Sequence, residues 1–151
     1  RVVLADCSEE ALRVARTNAR LNHLQSRIAV LQADALAPPG AKFDAFQCIV
    51  SNPPYIASAE IETLAPEVRE HEPRMALDGT ADGLFFYRRI VQESPSYLKE
   101  GGWLCMEIGY DQGAAVRQLM EARGFATVSV IKDLAGLDRV VSGCYRRNRN
   151  V

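Results

Sequence analysis

Asn52-Pro53-Pro54-Tyr55 is the stretch of this sequence best equipped for chemistry. A proline has a fixed φ and no amide hydrogen, so two in a row stiffen the chain and leave carbonyls free to accept. An Asn carboxamide oxygen followed by such a carbonyl can accept both hydrogens of one NH₂ group. An amide or aromatic amine nitrogen is a poor nucleophile because its lone pair is delocalised. Held by both hydrogens, it has its lone pair localised and aimed at an incoming methyl group, with no strong base needed first. The gain is orientation and electrostatics. Tyr55 can pack against the flat group. A rigid turn that only ends a strand would use the same residues.

Two acids stand at comparable places. Asp6 could accept from both hydroxyls of a ribose, or serve as a turn residue ahead of a helix. Asp34 could accept from an exocyclic adenine amine, with Ala35 supplying a backbone amide, or be a plain turn acid. The other polar residues have simpler readings. His23 suits the dipole at a helix end, His71 is a lone loop histidine, and Glu107 ends a strand in a structural role. Arg146, Arg147 and Arg149 form a solvated basic tail. Cys7, Cys48, Cys105 and Cys144 lack ligand spacing and read as buried free thiols suited to a reducing compartment, so no metal is expected.

The elements that must position these residues follow from periodicity. Val2–Ala5 is a short β-branched strand, and Ser8 caps a helix to about Leu21 with Leu12, Ala15 and Ala19 on one face. Ile28–Gln32 is a second strand, a Pro38-Pro39-Gly40 loop follows, and Phe46–Ser51 is a third strand stopped by the prolines. Ile56–Asp82 is long and irregular, as functional loops carrying short helices of their own are; it is expected to cover the substrate side and to be less ordered than the strands. Leu84–Glu93 is helical, Gly101-Gly102 turns into the strand Trp103–Ile108, and Ala114–Arg123 is a helix stopped by Gly124. Val128 and Val130, then Val140 and Val141, mark two last strands, antiparallel because their connection is short. The alternation predicts one α/β domain with a mostly parallel, twisted sheet and an antiparallel terminal strand. Asp6, Asp34 and Asn52 all fall at strand carboxyl ends, where such sheets bind ligands.

Composition narrows the partners. With 151 residues and 48% apolar content, the chain can bury a core of its own. Its 18 basic and 19 acidic side chains leave a net charge of −1, which argues against avid nucleic-acid binding. No apolar run approaches a membrane span and no signal-peptide pattern is present. The chain opens directly on a strand, which suggests a preceding segment.

Three further stretches make the pattern more specific: Glu72-Pro73-Arg74-Met75-Ala76-Leu77-Asp78-Gly79, Asp82-Gly83-Leu84 and Tyr87-Arg88. Together with Val50-Ser51-Asn52-Pro53-Pro54-Tyr55-Ile56 they resemble the HemK/PrmC family, the protein-glutamine N5-methyltransferases that modify the Gly-Gly-Gln motif of peptide-chain release factors. The resemblance covers essentially the whole chain. It implies a Rossmann-like class I S-adenosylmethionine-dependent methyltransferase fold, a cytoplasmic location and a role in translation termination. It makes Asp6 the ribose-binding acid and Asp34, with Ala35, the adenine side. Asn52 and the Pro53 carbonyl would hold the substrate amide beside the cofactor, and Pro54 and Tyr55 would complete the pocket. It also implies that residues 1–151 are part of a catalytic domain, with a helical domain, a first strand and a glycine-rich loop before Arg1. That first strand would lie between Val2–Ala5 and Phe46–Ser51. Two departures stand out: Phe43–Ile49 is longer than the usual approach to the motif, and Thr80 replaces a common second glycine.

Other functions fit less of the sequence. An N6-adenine DNA or RNA methyltransferase would need stacking aromatics and a cationic track. A dinucleotide-dependent oxidoreductase could share the strand-end acid but leaves Asn52–Tyr55 without a role. A fragment that only makes protein contacts is the remaining reading.

Overall fold

The computed structural model describes residues 1–36 and 46–147. The Pro38-Pro39-Gly40 loop, Phe43–Ala45 and Arg149 lie outside these residues. The chain divides into two compact units, Arg1–Lys42 and Phe43–Val151.

The first unit is a strand–helix–strand. β1 (Val2–Asp6) and β2 (Ile28–Gln32) pair in parallel with Val2 opposite Ile28 and Asp6 opposite Gln32. Between them runs α1 (Glu9–Leu21), where the Ser8 hydroxyl accepts from the Ala11 amide at 3.2 Å and Glu9 and Glu10 face the positive end of the helix. Leu12 and Ala19 are its buried contacts. The helix stops because His23 adopts φ 56°, while the Leu24 amide bonds the Ala19 carbonyl and the His23 amide bonds the Arg20 carbonyl. That is a Schellman closure, so His23 sits at the helix end as its sequence position suggested.

The second unit begins with β3 (Phe46–Ser51) and the short helices α2 (Pro66–Arg69) and α3 (Arg74–Leu77), which occupy the segment expected to carry helices of its own. It continues through α4 (Phe85–Glu93), β4 (Leu98–Glu107), α5 (Gly113–Ala122), β5 (Phe125–Lys132) and β6 (Asp138–Tyr145). The sheet order is β3-β4-β6-β5, with β3 parallel to β4 and β6 antiparallel to both its neighbours. β6 is therefore the one antiparallel strand of this sheet, last in sequence but interior in space. Tyr87, Ile90 and Val91 of α4 and Val116 and Met120 of α5 are buried, as are Leu104, Met106 and Val141 of the strands. A helical period on α4 and α5 and a period of two on β4 produce these faces.

Two expectations need correction. Gly101-Gly102 does not precede its strand but lies within it. Phe46 pairs with Leu98 and Cys48 with Trp103, so β4 carries three extra residues against β3. Gly101 takes φ 76°, and a Cβ on Gly102 would lie 2.9 Å from the Lys99 carbonyl oxygen, which is why glycines occupy the bulge. The thiols are not uniformly buried: Cys7 and Cys48 are exposed, Cys105 is half-buried and Cys144 is buried. Strand residues alternate faces, and apolar composition alone does not say which face is covered. Burial, with Cys48 beside it, pushes the Cys105 thiol up.

Candidate active site

β3 ends at Ser51, which pairs with Met106, so Asn52 emerges beside the carboxyl end of β4. Pro53 and Pro54 stop the ladder there because neither can donate to it. Pro53 is buried, Pro54 and Tyr55 are half-buried, and Asn52 is exposed. The Asn52 carboxamide makes no hydrogen bond with the described residues, so both its polar atoms are available.

After Tyr55 the chain travels out through α2 and α3 and returns alongside itself. Ile56 donates to the Leu77 carbonyl at 3.0 Å, Gly79 to the Ile56 carbonyl at 2.8 Å, and Ser58 to the Thr80 carbonyl at 2.9 Å. Asp78 locks this return: its Oδ1 accepts from the Ser58 hydroxyl at 2.6 Å and the Thr80 amide at 2.9 Å. Those bonds, with Arg74 nearby, hold the Asp78 carboxyl below its usual range. The segment expected to be loosely ordered is thus pinned at its base by main-chain bonds.

Glycines let the returning strand reach the motif. A Cβ on Gly79 would lie 2.8 Å from the Tyr55 Cα, and one on Gly83 would lie 2.4 Å from the Tyr55 carbonyl oxygen. Gly83 also has φ 70°. Thr80 has the same φ of 70°, which explains why glycine suits that position. Asp82 then opens α4 by accepting from the Leu84 amide at 3.1 Å, and both its oxygens take the Arg88 guanidinium. Arg88 is the main reason its carboxyl is held down at about 2.

A residue that the sequence reading passed over joins these parts. Gln112 precedes α5; its Nε2 donates to the Tyr55 carbonyl at 2.9 Å and approaches the Gly83 carbonyl at 3.5 Å. Its Oε1 accepts from the Gly109 amide at 3.0 Å and lies 3.3 Å from the Tyr87 hydroxyl, which donates to the Glu107 carbonyl at 3.0 Å. Burial pushes the Tyr87 phenol up, so it stays a neutral donor. Arg139 closes the other side, donating to the Ile108 carbonyl at 3.3 Å and to Asp133 Oδ2 at 3.2 Å. The only sequence signal for Gln112 was its place between a strand end and a helix.

In the first unit, parallel pairing puts Asp6 and the residues after Gln32 at the same end of β1 and β2. Asp6 Oδ1 accepts from the Ser8 amide at 2.8 Å, so the turn role is real. Its second oxygen has no partner among the described residues, and an exposed carboxylate held in this way still fits a ribose hydroxyl. Asp34 is exposed, and Ala35 has φ 59°, a left-handed turn directly after it. Asn52, placed with these residues on the cofactor by the sequence reading, belongs to the second unit. Among the described residues no cluster of His, Cys, Asp or Glu could hold a metal ion, and no helix is long and apolar enough to cross a membrane.

A family model described as "Methyltransferase small domain" matches residues 1–71. A methyltransferase from Pyrococcus furiosus superposes over 97% of this chain and 64% of its own, with a TM-score of 0.69 at 16% identity. The strand order, the single antiparallel strand and the polar residues at strand ends define a class I S-adenosylmethionine-dependent methyltransferase fold. The release factor glutamine methyltransferase of Caulobacter vibrioides is 51% identical over 138 residues, 91% of this chain and 47% of its own. The protein-(glutamine-N5) methyltransferase (release factor-specific) of Alicyclobacillus acidocaldarius superposes with a TM-score of 0.50 at 25% identity, over 97% of this chain and 80% of its own. Over about nine-tenths of its own length the chain is similar in sequence to the release factor glutamine methyltransferases of several bacteria. It spans about half the length of the curated relatives it matches.

Proposed function

We propose that this chain is part of the catalytic domain of an S-adenosylmethionine-dependent methyltransferase that modifies a glutamine side-chain amide in a protein. The Gly-Gly-Gln motif of a peptide-chain release factor is the substrate read here, and that substrate implies a cytoplasmic enzyme. The observation that carries this is the Asn52 carboxamide, exposed and without a hydrogen bond among the described residues, at the end of β3 and followed directly by Pro53. Similarity to the release factor glutamine methyltransferases supplies the substrate class.

Bound S-adenosylmethionine supplies an electrophilic methyl group. Asp6 would accept from a ribose hydroxyl through its second carboxylate oxygen, and Asp34 with the Ala35 amide would meet the adenine edge. The Asn52 side-chain oxygen and the Pro53 carbonyl would each accept one hydrogen of the substrate amide. That double acceptance holds the nitrogen lone pair on the transfer line and opposes its delocalisation. Pro54 and Tyr55 would wall the pocket and keep the flat amide from rotating. The substrate nitrogen would take the methyl as its bond to sulfur breaks and would then release one proton to solvent, so no residue need act as a base beforehand. Such preorganised contacts are worth about 10²–10³ in rate each.

The test is incubation of the protein with S-adenosylmethionine and a release factor, followed by peptide mass spectrometry. One added methyl group on the Gly-Gly-Gln glutamine is expected. Methylation of a DNA or RNA oligomer in place of the factor would overturn the reading.

A further inference from the structure

We propose that Gln112 is a positioning residue for this transfer, setting the angle at which the Asn52–Tyr55 turn presents its two acceptors. The proposal rests on the function read above. Gln112 stands at the N-cap of α5, yet its side chain makes no capping bond to that helix. Its carboxamide serves residues far away in sequence instead. The orientation of the amide is unambiguous: the Gly109 N–H can only donate and the Tyr55 carbonyl can only accept. Glycines flank it on two sides, since a Cβ on Gly83 would come within 2.7 Å of Nε2 and one on Gly109 within 2.9 Å of Oε1. The space is shaped for a carboxamide.

The consequence for the turn follows from its degrees of freedom. Ser51 is fixed by its pairing with β4, and the Tyr55 carbonyl is fixed by Gln112. Pro53 and Pro54 between them have no free φ. Little remains to vary, so the Pro53 carbonyl and the Asn52 backbone are held from both ends. Removing the Gln112 bond frees one end. A misplacement of about 1 Å can cost about a hundredfold in rate without touching affinity for the remote parts of a ligand.

Gln112→Glu tests this with little change of shape. One carboxylate oxygen still accepts from Gly109, but the other sets a negative charge against the Tyr55 carbonyl. Protonation turns that oxygen into a donor and restores the contact. Turnover should fall at least tenfold at neutral pH, with the KM for S-adenosylmethionine unchanged, and should recover relative to wild type as the pH falls. Tyr87, Asp111 beside Gly109 and Asp138 beside Gly113 are the other ionisable groups around this position and are the same in wild type, which makes wild type the control for them. Gln112→Met, which fills the space but cannot donate, should lose turnover without any pH recovery. Nuclear magnetic resonance gives a readout that needs no substrate: the Tyr55 and Ile56 amides should shift with protonation in Gln112→Glu alone. Unmoved amides, or normal turnover in both variants, would overturn the proposal. Failure of the wild type to methylate a release factor would instead count against the function and leave the resonance test in force.

Discussion

Gly83 lies so close to Tyr55 that a methyl group on its Cα would sit 2.4 Å from the Tyr55 carbonyl oxygen. That oxygen is also the one Gln112 holds. Gly83→Ala therefore meets a clash and a left-handed backbone at once. The φ of 70° alone costs an alanine about 1–2 kcal/mol. The expected result is a lower melting temperature together with a loss of turnover larger than the stability loss explains. Unchanged turnover in the folded variant would mean that the turn tolerates displacement.

Asn52→Ala should behave in the opposite way. The side chain is exposed and bonds nothing among the described residues, so its removal should leave thermal unfolding within about 0.5 kcal/mol of wild type. Turnover should fall by about 10²–10³. Near-normal turnover would remove Asn52 from the chemistry.

At Asp6 the two roles can be separated. Asp6→Asn keeps an oxygen for the Ser8 amide, and with it the start of α1, but removes the charge. Calorimetric titration with S-adenosylmethionine should show weaker binding while unfolding stays near that of wild type. Equal affinity in the two proteins would reduce Asp6 to its turn.

Thr80→Gly should stabilise the protein. A β-branched residue at φ 70° is strained, and glycine reaches that conformation without cost from a Cβ. Because glycine also loses more chain entropy on folding, the net gain should be about 0.5–1 kcal/mol, read as a higher melting temperature. The bonds from the Thr80 amide to the Asp78 carboxylate and from the Ser58 amide to the Thr80 carbonyl use only main-chain atoms of residue 80 and survive the change.

The Asp82–Arg88 pair predicts an acid limb. Arg88 holds the Asp82 carboxyl down from 3.8 to about 2, so the folded state has the lower pKa. Its stabilising contribution is complete above pH 3.8 and is lost as the pH falls towards 2. Asp82→Asn should flatten the melting-temperature profile over that interval, and added salt should shrink the difference because the pair is exposed. Parallel profiles for variant and wild type would discount the pair.

How far these features were legible in the sequence depended on range. α1 with its Ser8 cap, β2 and β3 could be read because their signals lie within a few residues of one another. Asn52 could be read because two prolines announce a strand end. Gln112 could not, since its partner Tyr55 is 57 positions away and a single glutamine before a helix carries no local pattern. Gly79 and Gly83 were noticed only as parts of a motif; the approach of the Tyr55 backbone gives the reason for both. Cys48 was misjudged because a strand's apolar content does not reveal which of its faces is covered.

The hydrogen bonds joining Ile56 and Ser58 to Leu77, Gly79 and Thr80 have a consequence for how such proteins diversify. They bring the two ends of the intervening stretch together, so its length and content can change while the chemistry stays in place. Doubling a flexible loop closed in this way costs only about 0.6 kcal/mol. The stretch from 62 to 71 is therefore an interchangeable module: a lineage could adapt to a differently shaped partner by rewriting these residues while Asn52–Tyr55 and their supports are inherited unaltered.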